Sequence, residues 1–262
     1  MSTPVSAPRR RSDERRAARL AAEAAEAARA SRRRRLVLLA GAVVLAAAVV
    51  AVAAVISSSG ARSDTAAGTR AAGGPEAAAR FAGIPERAGV IGDPGAPLKL
   101  VEYLDLQCPA CKVASAATLP TIVRDYVRTG KATLEVRTLH FLGPDSERAA
   151  RFAAGAERQG KLFPFLSVFY ANQGAENAGY VTDGFLRSVA RAAGVDADRA
   201  FAEAGSSRAT GRLDRANADA ARAGVSGTPT LTVQRDGGRE QVLPDSIDPA
   251  AVSQALDAEL AR

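Results

Sequence analysis

Both cysteines of this 262-residue chain fall in one tetrapeptide, Cys108-Pro109-Ala110-Cys111, directly after an apolar, strand-like run from Leu98 to Leu106. A thiol pair placed between the end of a strand and the start of a helix sharply narrows what the chain can become. If a helix begins at Cys108, Cys111 lies one turn later on the same face, close enough for the two sulfurs to open and close a disulfide. Cys108 then sits at the helix N-terminus, where free backbone N–H groups and the positive end of the dipole stabilise a thiolate. Its pKa is expected below the free value of roughly 8.5, which makes it the attacking sulfur. Pro109 suits the first helical position because it has no N–H to leave unsatisfied. Cys111, deeper in the helix, is the expected resolving thiol.

Two plainer readings stand beside this one. A closed zinc site takes four ligands, but the chain has no third cysteine and a single histidine, His140, so no metal is expected. The other alternative is a pair of buried structural cysteines.

Charge is distributed unevenly. Residues 1–35 hold 11 arginines and four acids, a balance of +7 that equals the net charge of the whole chain. The excess is confined to one tail, so the basic character does not imply a nucleic-acid partner for the folded part. Leu36 to Ile56 follows with 21 uncharged residues. As a helix this stretch would span about 31 Å, close to a hydrocarbon core of roughly 30 Å. A signal-peptide core is shorter, about 7 to 15 residues, so a retained anchor is expected. Arg32 to Arg35 abut the apolar run, and the positive-inside rule keeps that end in the cytoplasm. The predicted organisation is a basic cytoplasmic tail (1–35), a transmembrane helix (36–56), a flexible Ser/Ala/Gly-rich linker (57–80) and an extracytoplasmic domain (81–262). Such a compartment lets disulfides persist, and this domain has no cysteines beyond the one pair.

Within that domain, Leu98 to Leu106 predicts a strand. Val113, Leu119, Ile122, Val123, Tyr126 and Val127 recur at helical spacing up to Gly130, with Pro120 expected to kink the helix, and Ala132 to His140 predicts the next strand. A strand, helix, strand unit of this length implies a parallel crossover. Residues 146–224 predict successive helices, capped first by Asp145 or Ser146 and punctuated by Gly194, Gly205 and Gly224. Short strands at 230–233 and 240–243 flank Asp236-Gly237-Gly238, a hairpin signal, and Pro249 to Leu260 predicts a final helix.

This order, with the stretches VEYLDLQCPAC at 101–111, SERAARFAAGAERQGKLFPFLSVFY at 146–170 and GVSGTPTLTV at 224–233, resembles the membrane-anchored bacterial form of the DsbA-like thiol-disulfide oxidoreductases. The resemblance implies an α/β thioredoxin-like fold, with a helical insertion between its βαβ and ββα halves. It also implies Cys108 as nucleophile, Cys111 as resolver, and a cis peptide bond at Thr228-Pro229 opposite the pair. Thr228 would then offer its backbone to an extended substrate strand. Related folds often keep a buried acid six residues before the first cysteine, here Glu102. Strand alternation puts Glu102 on the face of Leu104 and Leu106, so burial should raise its pKa and suit it to relaying the Cys111 proton; an exposed strand acid is the competing reading. Strongly oxidising members often carry histidine between the cysteines, and this chain has Ala110, so the direction of electron flow is not carried over. His140 should emerge at the sheet edge that bears the cysteine pair.

The expected activity is disulfide donation to cysteine-containing exported proteins, with a membrane redox partner resetting the pair and no cofactor. A reductase or isomerase of the same fold is the nearest rival. A non-catalytic metallochaperone or peptide-holding module is the alternative of another class.

Overall fold

A computed structural model describes residues 71–262. The expected basic tail (1–35), membrane span (36–56) and first part of the linker lie outside the described residues. Among the described residues, no helix is long and apolar enough to cross a membrane.

The first element corrects a predicted boundary. Gly74–Phe81 is a helix, α1, so the expected division between linker (57–80) and domain (81–262) falls inside an element of the fold. Its three alanines favour helix, and Glu76 in the first turn and Arg80 in the last complement the helix dipole. Ala77 and Phe81, four residues apart, form a one-sided stripe that is buried, with the Phe81 ring 5.6 Å from that of Phe163. The low apolar content of this stretch hid a two-residue stripe that only its packing partner makes significant.

Two short strands follow, β1 (Glu86–Arg87) and β2 (Val90–Ile91), paired antiparallel across Ala88 and Gly89, which both have positive φ. Two-residue strands show no alternation, and the sequence did not predict them. β3 (Leu98–Asp105), α2 (Pro109–Ile122) and β4 (Ala132–Leu139) are the predicted strand, helix, strand unit, and β3 and β4 run parallel from Leu98↔Ala132 to Asp105↔Leu139. Pro120 lies inside α2, which widens into a π-helical turn at Val123–Val127, where Arg128 N–H donates to the Val123 carbonyl at 2.9 Å. Leu98, Leu100, Leu104 and Leu106 enter the main core, whereas Val101 and Tyr103 pack on the opposite face.

The predicted run of helices is α3 (Pro144–Glu157), α4 (Leu162–Ala171), α5 (Asp183–Ala193), α6 (Ala197–Ala204) and α7 (Ser207–Ala223). Thr182, Asp196 and Ser206 cap α5, α6 and α7 through their side chains, and Gly194 and Gly224, at φ 73° and 74°, close α5 and α7. The expected cap of α3 by Asp145 or Ser146 is not formed. That helix starts at Pro144 after Gly143, and Ser146 is buried with its hydroxyl turned to Asp105. Helix packing is close enough at Gly155 that a Cβ there would lie 2.5 Å from the Ala200 backbone.

β5 (Thr230–Arg235) and β6 (Gln241–Val242) form the predicted hairpin, with Asp236 and Gly237 both at positive φ, and α8 spans the predicted Pro249–Leu260. The six-stranded sheet has the order β1-β2-β4-β3-β5-β6, in which only β3 and β4 are parallel. α7 lies on one face, packing Ala216 and Ala220 against Val101 and Tyr103. The α/β fold with its helical insertion is therefore as the resemblance implied.

Candidate active site

The chain leaves β3 through a tight turn. The Cys108 N–H donates to the Asp105 carbonyl at 3.0 Å, which ends the strand and turns the backbone into α2. Cys108 is the N-cap of that helix and Pro109 occupies its first turn. The N-cap placement puts the sulfur among N–H groups that the helix itself cannot satisfy.

The two thiols are free and unequal. Cys108 exposes 7% of its surface and Cys111 only 1%, so the first is the sulfur that an incoming group can reach. The Cys108 Sγ–H donates to the Thr228 carbonyl at 3.3 Å. Its pKa falls from the usual 9 to about 6, chiefly because the Cys111 thiol donates to the Cys108 sulfur; burial opposes the shift, while the Thr228 side chain and the backbone N–H groups of Cys111 and Ala110 reinforce it. Burial moves Cys111 strongly the other way, and the hydrogen bond it gives Cys108 adds to the effect. One sulfur is thus ionised near neutral pH and the other holds its proton.

Thr228-Pro229 is cis, and it is the Thr228 carbonyl that meets the Cys108 sulfur. Ala110, between the cysteines, packs partly against the core and offers no side-chain donor. Glu102 is buried in the middle of β3, beside Thr118, Leu119 and Ile122 of α2. Among the described residues, no hydrogen bond or ion pair engages its carboxyl, and desolvation raises its pKa from 4.5 to about 7. Tyr170, fully enclosed, has its pKa raised well above the usual value, chiefly by burial, with Cys111 and Glu102 near enough to add to the shift, so all three groups share one low-dielectric region. His140 stands apart from this cluster, with Nε2 at 3.2 Å from Asn217 Nδ2 on α7.

Sequence reasoning missed the residues that hold the cysteine loop. Asp105 is fully buried, and its carboxylate accepts from Gln107 N–H (2.9 Å), Phe141 N–H (3.1 Å), Leu142 N–H (3.2 Å) and Ser146 Oγ–H (2.6 Å). It therefore ties the turn before Cys108 to the loop after β4. Tyr170 donates to the Asp105 carbonyl at 3.1 Å, and Gln173 Nε2 donates to the carbonyls of Leu106 (2.8 Å) and Cys108 (3.1 Å). The Gln107 side chain donates to Tyr180 Oη at 2.9 Å and accepts from Asn177 N–H at 3.0 Å. Asp105 and Gln107 directly precede the motif in sequence and were available as a signal. Nothing local marked Gln173.

A mixed sheet with a dithiol at the N-terminus of the helix after its central strand, opposite a cis-proline, defines a thioredoxin-fold redox protein. The thioredoxin family profile matches residues 86–258, and the chain belongs to that family. A curated relative from Bacillus cereus, called probable disulfide bond formation protein D, is 30% identical over 103 residues, covering 38% of this chain and 48% of the relative. The chain thus spans about half the length of the curated relatives it matches. Among solved structures, BdbD from Bacillus subtilis superposes with a TM-score of 0.60 at 19% identity, covering 68% of this chain and 98% of that one. Pseudomonas aeruginosa DsbA2 gives 0.53 at 26% identity, covering 68% and 96%. The DsbA-like resemblance holds.

Proposed function

We propose that the chain is an extracytoplasmic thiol-disulfide oxidoreductase, anchored through residues 36–56, that donates disulfides to cysteine-containing exported proteins. The observation that carries this reading is the inequality of the two sulfurs, one reachable and ionised near neutral pH, the other enclosed and protonated. In the disulfide state, a substrate thiolate attacks Cys108 Sγ and the electron pair of the S–S bond passes to Cys111, which takes up a proton. Glu102, unpartnered and titrating near neutrality, is the group suited to supply and later remove that proton. A second substrate thiolate then attacks the substrate sulfur of the mixed disulfide and expels Cys108 as a thiolate. The substrate loses two electrons and the pair gains them; a membrane redox partner takes them on.

The lowered Cys108 pKa supports donation over reduction, because a stabilised thiolate leaves readily and favours the reduced pair. The relatives called disulfide bond formation proteins point the same way. An extended substrate segment would lie along Thr228, with Pro229 contributing no competing N–H.

Thiol trapping of the full chain in cells tests the direction. Mainly oxidised Cys108 and Cys111 are expected, and a mainly reduced pair would overturn donation in favour of a reductase. Cys111→Ser should accumulate mixed disulfides with exported proteins, since the resolving thiol is gone, while Cys108→Ser should accumulate few. Equal adduct yields on non-reducing gels would sink the role assignment.

A further inference from the structure

Residues Asn172 and Gln173, at the end of α4, make two bridges to distant parts of the chain. Asn172 Oδ1 accepts from the Ala72 N–H at 3.0 Å and its Nδ2 donates to the Ala72 carbonyl at 2.9 Å. Gln173 Nε2 donates to the carbonyls of Leu106 and Cys108, which flank Gln107 in the turn that aims the reactive sulfur. The Gln173 carbonyl in turn accepts from Lys112 Nζ at 3.3 Å, one residue past Cys111. The inserted helices therefore grip the cysteine loop from outside the thioredoxin core.

We propose that Gln173 is a positioning residue for the Cys108 thiolate. Cys108 is an N-cap, so its carbonyl accepts the first intrahelical bond, from Lys112 N–H, and that bond is long at 3.3 Å. One primary amide has two N–H groups in a fixed plane, and here both carbonyls on either side of Gln107 are bound to it. Holding the two carbonyls together fixes the backbone rotation at Cys108, and with it the direction of Sγ relative to the N–H groups of Ala110 and Cys111. Without the amide, Leu106 and Cys108 present carbonyls with no such tie, and the turn can rotate the sulfur away from its donors. The positive end of the amide dipole also lies beside the cap, adding to the field that favours a thiolate.

This inference rests on the oxidoreductase reading for its importance but not for its test. The test is the pH dependence of Cys108 alkylation by iodoacetamide in the reduced full chain, followed by mass spectrometry, in the wild type, Gln173→Ala and Gln173→Met. Methionine keeps the length and packing of glutamine but donates nothing, so it guards against a merely structural effect. Both variants should move the titration of Cys108 upward, lowering its acid dissociation constant by about tenfold, which is one pH unit. Gln173→Glu should shift it further, because a carboxylate would face two carbonyl oxygens. The thermal midpoint of the oxidised protein carrying Gln173→Met should stay near that of the wild type. A wild-type titration in Gln173→Met, whatever its stability, overturns the proposal, as does a shift seen only in variants that lose the fold. The two readings separate cleanly: a wild type that oxidises no dithiol peptide fails as a donor even where Gln173 moves the titration, and an active wild type with insensitive variants fails only the positioning.

Discussion

Glu102 and Asp105 stand three residues apart on β3, and both bury a carboxyl, yet their surroundings are opposite. The end of the strand supplies Asp105 with two backbone N–H groups from the loop after β4, one from Gln107 and the Ser146 hydroxyl. The middle of the strand supplies Glu102 with no hydrogen-bond donor among the described residues; Thr118, Leu119 and Ile122 of α2, Leu231 of β5 and Ser246 of the loop after β6 surround it. A carboxylate met by four donors acts as a structural hub, whereas the desolvated Glu102 has its pKa raised to about 7. One strand thus carries both a carboxyl that ties down the cysteine loop and a carboxyl buried without donors.

The largest effect should come from breaking the hub. Asp105→Ala leaves four donors without their acceptor, and a loss of about 3 to 5 kcal/mol is expected from urea unfolding of the oxidised protein. A loss below about 1 kcal/mol would show that the loop is held without Asp105.

Removing the other carboxyl should act in the opposite sense. The folded pKa of Glu102 is raised, so its contribution is fully present below the ordinary value of 4.5 and is lost as pH rises through about 7. Glu102→Gln cannot ionise, so the variant should match the wild type at pH 4 and gain on it by up to about 3 kcal/mol above pH 7. It should also slow disulfide exchange at Cys111, measured as the rate of mixed-disulfide resolution. A stability difference that does not depend on pH would remove the carboxyl from the titrating groups.

The pair itself gives a finer test. Below the Cys108 pKa of about 6, reduction takes up two protons, and above it only the one held by Cys111. The reduction potential should therefore fall by about 60 mV per pH unit below that point and about 30 mV, or 1.4 kcal/mol, per unit above it. A single slope from pH 4 to 9 would mean that the thiolate is not stabilised. In Glu102→Gln the break should stay near the same pH, and a displaced break would reveal coupling between the two groups.

Ala110→His should have the smallest effect. An added donor beside the thiolate raises the potential, but Cys111, Thr228 and the helix terminus already act on Cys108, so about 30 mV or less is expected. A much larger rise would mean that the loop held by Asp105 leaves the potential largely to the residue between the cysteines.

By itself the sequence determined the strand, cysteine helix and parallel strand, because apolar runs and helical spacing there are long enough to be read locally. It also determined α8 and the turn at Asp236-Gly237, where proline, aspartate and glycine impose their own backbone geometry. The burial of Glu102 followed from alternation on β3, since period two assigns a face to every residue of a strand. Tertiary structure alone decided that residues 74–80 belong to the fold, because the Ala77 and Phe81 stripe acquires meaning only against α4. It alone turned Ser146 from a helix cap into an Asp105 ligand and brought Gln173 to Leu106 across 67 residues of chain. Such contacts join side chains whose own neighbourhoods are already satisfied as helix or loop, so no local periodicity encodes them; they exist because packing α3 and α4 around the turn removes water from its carbonyls and carboxylate, and those groups must then find donors in the protein.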